Sequence, residues 1–267
     1  MQGAVNSRTV TGICILRVKT FVKCTLIKEL KMDRRFAEEL RALKQKLFQM
    51  GLLVEGAIHK AFEGLETRSL DLVEDVLKDE DIINSLEIEI DDKGHSLFAL
   101  RQPMAGDLRL LTMILKINND LERMGDHAVN LAQRSRFLIS QPELRISFPL
   151  CEMAEATQEM VRDALDCFMN ENVDLARKVL RSDDRIDDFN YRIYEDMSML
   201  MENDPSSVKR ALAYIMVGCN LERIADLSNN IAEDTIYFKQ GKEVRHRFEK
   251  DSEGEERGEP GADARFA

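Results

Sequence analysis

One stretch of this chain occurs twice. Residues 121–131 read LERMGDHAVNL and residues 221–231 read LERIADLSNNI, an offset of 100 residues. Leu, Glu, Arg, Asp and the penultimate Asn are identical. Met124 corresponds to Ile224 and Leu131 to Ile231. Neither copy contains Pro, and both lie in long amphipathic segments, so both predict helix. Ile117, Leu121, Met124, Ala128 and Leu131 step by four and three residues. So do Val217, Leu221, Ile224, Ser228 and Ile231. That spacing makes one buried stripe per helix.

The duplication extends upstream. LDLVEDVLKDEDIINSLEIEI begins at Leu70 and VDLARKVLRSDDRIDDFNYRI at Val173, an offset of 103. Glu80 falls on Asp183, Asp81 on Asp184, Ile83 on Ile186 and Asn84 on Asp187. The unit is therefore three helices in about 100 residues, used twice. The predicted helices run from about 33 to 65, 69 to 100, 103 to 139, 150 to 169, 173 to 202, and from Pro205 to near Gly241. Asp33 is the expected N-cap of the first, and Pro103 the expected opening of the third. Leu43, Leu47, Met50, Val54, Ala57 and Ala61 should face inward from the first helix. Leu72, Val76, Ile83, Leu86, Ile90 and Leu97 should do so from the second. All five Pro residues fall at predicted boundaries. The fold class is all-α, two tandem related three-helix bundles.

Residues 1–31 differ from the rest. They carry Arg8, Arg17, Lys19, Lys23, Lys28 and Lys31 against Glu29 alone. Charges interrupt the apolar residues too often for a secretory signal. This basic extension reads first as a start assigned too early, with Met32 the favoured start. A disordered arm or a short packed element is the other option. The first repeat then spans 32–141, a linker follows to Pro149, the second repeat spans 149–248, and 249–267 read as a disordered tail rich in Glu, Gly and Arg.

Composition narrows function. Charged residues are 33% and aromatics 6%, with no Trp, as helical bundles have. A net charge of −11 disfavours phosphate backbones and so nucleic acid. Five Cys without CxxC spacing argue against disulfides or thiolate zinc and for a reducing compartment. No run of 18 apolar residues predicts a membrane span.

Residues four apart share a helix face. Glu122, Asp126 and Asn130 thus form one oxygen-bearing stripe, and Glu222, Asp226 and Asn230 its twin. A single such stripe is ordinarily solvated charge. Its recurrence at matching positions, in halves that have otherwise diverged, favours a task. Carboxylate oxygens are ligands for hard cations. The fifth helix can add Asp183 and Asp187, and the second Glu80 with Asn84. A di-iron bundle of the ferritin kind needs paired ExxH motifs, and the one ExxH here is Glu243–His246. GxxxxGK[ST], GxSxG and HExxH are absent from the sequence.

The two LERxxD segments, RQPMAGDLR and IAEDTIYFKQGKEVRH together resemble the PhoU family, over about residues 32–248. The resemblance implies two three-helix bundles that bind multinuclear metal clusters, with iron or zinc favoured, through paired E/DxxxD motifs. On this chain those are Glu122 and Asp126, Glu222 and Asp226, and Asp183 and Asp187, with Glu80 in the second helix. There Asn84 replaces the acid, which makes the second bundle the better expected metal site. The resemblance further implies a cytoplasmic, non-enzymatic, often dimeric accessory protein of the phosphate ABC transporter. The implied role is negative regulation of phosphate uptake and of the starvation response. The implied partners are the transporter's ATPase subunit and the sensor histidine kinase. Arg109, Arg123 and Arg223 are candidates for partner contacts or for pairing with the acids. A metal-dependent phosphatase or oxidase, and a purely structural bundle, are the competing readings.

Overall fold

The computed structural model describes residues 8–144 and 148–241, with side chains from Arg35 onward. Six long helices form it: α1 (Arg8–Glu66), α2 (Leu70–Arg101), α3 (Ala105–Ile139), α4 (Leu150–Asn170), α5 (Val173–Asn203) and α6 (Val208–Gln240). A short 3-10 turn, Pro205–Ser207, leads into α6. No strand occurs among the described residues, as the repeated period of four and three demanded. No helix among them is long and apolar enough to cross a membrane. The proposed tail from 249 and the Glu243–His246 pair lie outside the described residues.

Both predicted stripes are buried along their full length. Ile117, Leu121, Met124, Ala128 and Leu131 line the core from α3, and Val217, Leu221, Ile224, Ser228 and Ile231 from α6. Each fully buried large aliphatic side chain contributes roughly 1.5–3 kcal/mol of hydrophobic transfer. Such stripes therefore fix the helix rotations. In α2, Leu72 and Leu86, expected inside, are half-buried, while Val73 turns in. The apolar run in α2 is broad enough that its inward centre is shifted by one position.

Two helix starts differ from expectation. Helix α1 passes through residue 33 without a break, so no helix starts there. The change at Met32-Asp33 is one of charge, and no Pro interrupts residues 8–66. Charge sign has little influence on helix propensity. Helix α3 begins at Ala105 with Met104 as its N-cap, so Pro103 lies just outside it. The α4–α5 turn is conventional. Glu171 takes a left-handed conformation (φ 52°), and the Asn172 side chain accepts from the Asp174 and Leu175 amides at 3.1 Å. Asn172→Ala should lower stability by about 1 kcal/mol, measurable as a denaturant midpoint shift at constant slope.

The helices form a row, α2–α3–α6–α5, with α1 packed on α2 and α3, and α4 packed on α5 and α6. Helices α3 and α6 run antiparallel across the junction of the repeats. Lys116 pairs with Asp234, and His127 Nδ1 lies 3.0 Å from Asn220 Oδ1, which sets that register. Met124 and Ile224 thus sit near the crossing. The repeats are related by an approximate two-fold at this seam, which brings the duplicated stripes to the same height. Gly51 lets α4 close on α1: a Cβ there would stand 2.6 Å from Leu165 Cδ2.

Candidate functional site

The apolar stripe of α3 faces the core, so Glu122 and Asp126 are carried to the rim of the groove between α3 and α2. The same logic in α6 places Glu222 and Asp226 at the rim of the α5–α6 groove. Glu222 is 23% exposed and Asp226 42%, enough burial to cost solvation and enough exposure for an ion to enter. Across each groove stand the carboxylates that the repeat predicted. Asp183 and Asp187 lie on a different side of α5 from Lys178, which pairs with Glu159 and Asp163 of α4. They therefore look toward α6.

Electrostatics shows which acids share space. Burial pushes the Asp183 carboxyl up to about 6; the Asn229 amide opposes the rise, and Asp187, Asp226 and Asp184 add to it. Asp187 is raised by burial, then by Asp226 and Asp184. Glu222 is raised by burial and Asp226, against Arg223, with Asp187 and Asp183 contributing. In the first repeat Glu80 is raised by burial, then by Asp126 and Asp81. Glu122 is raised by burial, then by Asp126 and Glu87, against Arg123, with Glu80 last. Burial is the largest cause of each rise and the like charges of the facing acids add to it, and a cation would offset both. Each groove therefore brings together the acids proposed for it.

Glu87 is the residue the sequence reading missed. Its repeat counterpart is Asn190, as Asn84 is the counterpart of Asp187. The first repeat has therefore moved one acid by three residues, a single turn along the same side of α2. Each groove keeps four carboxylates: Glu80, Glu87, Glu122 and Asp126 in one, Asp183, Asp187, Glu222 and Asp226 in the other. The signal lay in the pair of exchanges, amide for acid at one position and acid for amide at the next turn. Asn84 thus has an acid one turn further on, Glu87, on the same helix.

Two amide oxygens test whether the grooves suit a cation. Asn118 Oδ1 and Asn229 Oδ1 are buried without a hydrogen-bond partner. A buried acceptor without a donor costs about 1–3 kcal/mol, and a bound cation would satisfy it. Among the described residues no three Asp, Glu, His or Cys side chains already stand at coordinating positions. The grooves are oxygen-rich and open rather than preformed cages.

Arg109 lies apart from Arg123 and Arg223. Arg123 pairs with Asp120, and Arg223 with Glu222 and Asp226. Both line a cleft of about 920 Å³ over the α3–α6 seam, between the two grooves, together with Lys116, Asn230 and Asp234. Arg109 is exposed near the end of α6, its Nη1 3.5 Å from where a Gly241 Cβ would stand. His127 is committed to Asn220 across the seam rather than to Asp126.

The sequence matches the model of the PhoU domain twice, over residues 47–135 and 150–235. It is similar to a phosphate-specific transport system accessory protein PhoU homolog of Aquifex aeolicus, 38% identical over 80% of this chain and 97% of that protein. The accessory protein PhoU of Escherichia coli is 29% identical over 79% of this chain and 88% of its own length. The crystal structure of PhoU from Pseudomonas aeruginosa superposes with a TM-score of 0.76 at 35% identity, covering 78% of this chain and all (100%) of that one. A phosphate transport system regulatory protein PhoU from Streptococcus pneumoniae gives 0.73 at 28% identity, covering 78% of this chain and 99% of its own.

Proposed function

Since the chain belongs to the PhoU family, we propose that it is a non-enzymatic accessory protein of a phosphate-specific transport system that restrains phosphate uptake and the starvation response. It acts in the cytoplasm, as a homodimer, by docking on the transporter's ATPase subunit and on the sensor histidine kinase. The observation that carries this reading is the pair of PhoU-domain matches on a chain that keeps a four-carboxylate groove in each repeat. The exposed Arg109, Arg123 and Arg223 are the contacts assigned to partners; Arg123 and Arg223 stand at the seam, where one partner surface can meet both repeats.

Support for the family's multinuclear metal cluster in these grooves comes from the buried amide oxygens without hydrogen-bond partners and from the facing acids, among them Glu122 and Glu222, which are raised by burial and by like charge. Glu80, Glu122 and Asp126 would hold it in the first repeat, and Asp183, Asp187, Glu222 and Asp226 in the second. Iron or zinc is the favoured ion. The metal supplies positive charge that neutralises the acidic face. The protein's own residues do the rest. Burial of the two stripes holds the acids at the groove rims, and Arg223, tied to Glu222 and Asp226, links the state of that groove to the surface a partner meets.

The test pairs metal content with function. Protein purified without chelator or affinity tag should carry stoichiometric metal by elemental analysis. Glu222→Ala/Asp226→Ala should lose most of the second-repeat metal with unchanged helical circular dichroism. In a strain deprived of its own accessory protein, the parent should restore repression of a phosphate-starvation reporter. Metal-free parent protein that still represses would remove the metal from the proposal and leave the docking role. Failure to repress, with no binding to either partner, would remove the regulatory reading itself.

A further inference from the structure

The approximate two-fold that relates the repeats is broken at the surface of α5 and α6. On α3, Thr112, Lys116 and Asn119 step by four and three and line the cleft over the seam. Their counterparts on α6 are Leu212, Met216 and Cys219, all exposed. On α5, Tyr191 and Tyr194 stand where α2 has Ile88 and Asp91. The second repeat thus shows apolar or aromatic side chains at five positions, and the first shows polar ones at four of the same five. Leu212 is 48% exposed, Met216 41%, Tyr191 64% and Tyr194 55%.

These residues form one patch. Leu212, Met216, Cys219 and Arg223 step by four, three and four, so they make one stripe of α6. Asp187, Tyr191 and Tyr194 make one stripe of α5 by the same spacing. Asn190 and Ile193 lie against Gly218, where a Cβ would stand 2.9 Å and 3.7 Å from them. That register sets the two tyrosines alongside the 215–219 turn of α6. A single exposed apolar residue is ordinary. Five of them on adjoining stripes, at positions the twin keeps mostly polar, mark a contact surface. The exchange also gave up an ion pair. Lys116 pairs with Asp234 across the seam, while the equivalent positions hold Met216 and Arg134, which cannot.

We infer that this α5–α6 patch is the surface on which two copies of the chain pair. This rests on the homodimer proposed above and assigns its interface. A two-fold contact sets one surface against itself, so the surface must be self-complementary. The charges meet that condition. Residues 183–196 of α5 carry six acids against Arg185 and Arg192, while residues 208–223 of α6 carry Lys209, Arg210 and Arg223 against Glu222 alone. A two-fold axis parallel to the helices lays the acidic α5 edge of one copy over the basic α6 edge of the other. Tyr191 and Tyr194 of each copy then rest on Leu212 and Met216 of the other. Tyr supplies rigid contact area, and Met adapts its shape to what it meets. Both are enriched where proteins pair.

Sedimentation equilibrium of the full chain reads the test. The variant Tyr194→Asp/Leu212→Thr/Met216→Lys gives the second repeat the residues that the first carries at the same positions. The parent should be dimeric, and the variant's dimer Kd should rise by about a hundredfold or more, as loss of several central contacts does. Circular dichroism should be unchanged, because the first repeat folds with these residues. If the triple variant loses helix, Met216→Lys alone is read, with a rise of about tenfold or more. Leu100→Gln/Met104→Gln, at the α2–α3 turn and 77% and 80% exposed, should leave the dimer intact. A dimer that persists unchanged in the folded variant would overturn the inference and leave the homodimer standing on another interface. Dispersal by Leu100→Gln/Met104→Gln, with the patch variant intact, would do the same and place that interface at the α2–α3 turn. A parent that is monomeric at every concentration would overturn the homodimer reading as well, and the patch would then belong to a different protein partner.

Discussion

Asp183→Asn should stabilise the metal-free protein at about pH 7.5 and destabilise it, relative to the parent, when a divalent cation is saturating. The first half follows from burial. The Asp183 carboxyl is pushed from an ordinary 3.8 to about 6 by loss of water and by Asp187, Asp226 and Asp184. The shift corresponds to about 3 kcal/mol if taken in full. The groove is open to solvent, and screening cuts that to about 1–2 kcal/mol, a gain of roughly 2–6 °C in Tm for a chain this size. A folded-state value above the unfolded one favours the native state fully below about 3.8, and that contribution is lost as the pH rises through about 6. The metal-free parent should therefore lose stability between about pH 4 and pH 6. Glu80, Glu87, Glu122, Asp187 and Glu222 are raised as well and push the same way. The second half follows from linkage. A cation present at about 100 times its Kd adds about 2.7 kcal/mol to the parent. Removing one carboxylate ligand forfeits much of that. Melting curves with chelator and with manganese, at two pH values, read both signs. The same order of stability in both media would mean that Asp183 does not face the ion.

The fold was legible because the helix period leaves little freedom. A four-and-three stripe repeated 100 residues later can be buried only against neighbours of its own kind. Most helix ends were legible for the same local reasons, as α5 starting at Val173 and Gly241 ending α6 illustrate. Three features were not. The entry into α1 was read at Asp33 because a charge change resembles a boundary, while backbone propensity continues across it. Glu87 was passed over because the motif was searched at fixed spacing. A groove measures oxygen positions, and on a helix three residues or four reach nearly the same place. Asn118 was invisible for a different reason. An Asn in a buried stripe reads as a tolerated polar residue until the structure shows which of its atoms is satisfied.

The largest loss of stability should come from Leu121→Ala and Leu221→Ala. The two positions are equivalent in the repeats, and both are fully buried at 0% exposure. Each truncation removes three heavy atoms from a packed core and leaves a cavity, at a cost of about 2–5 kcal/mol. In a chain this size that lowers Tm by roughly 4–20 °C. The distribution of the damage is more informative than its size. Helices α3 and α6 pack on each other, and the Asp234 carboxylate, 4% exposed, is matched by Lys116 from the other repeat. Helix α4 also rests on α1, with Gly51 against Leu165. The repeats thus share their interior: neither can open without exposing apolar surface of its twin, and opening the first also strips Lys116 from the buried Asp234. Amide hydrogen exchange on Leu221→Ala should therefore show lost protection in α3 as well as in α6, with one melting transition. Loss confined to residues after Leu150 would mean two independently folding units. The grooves would then be held by separate scaffolds, and a change at one could not be transmitted mechanically to the other.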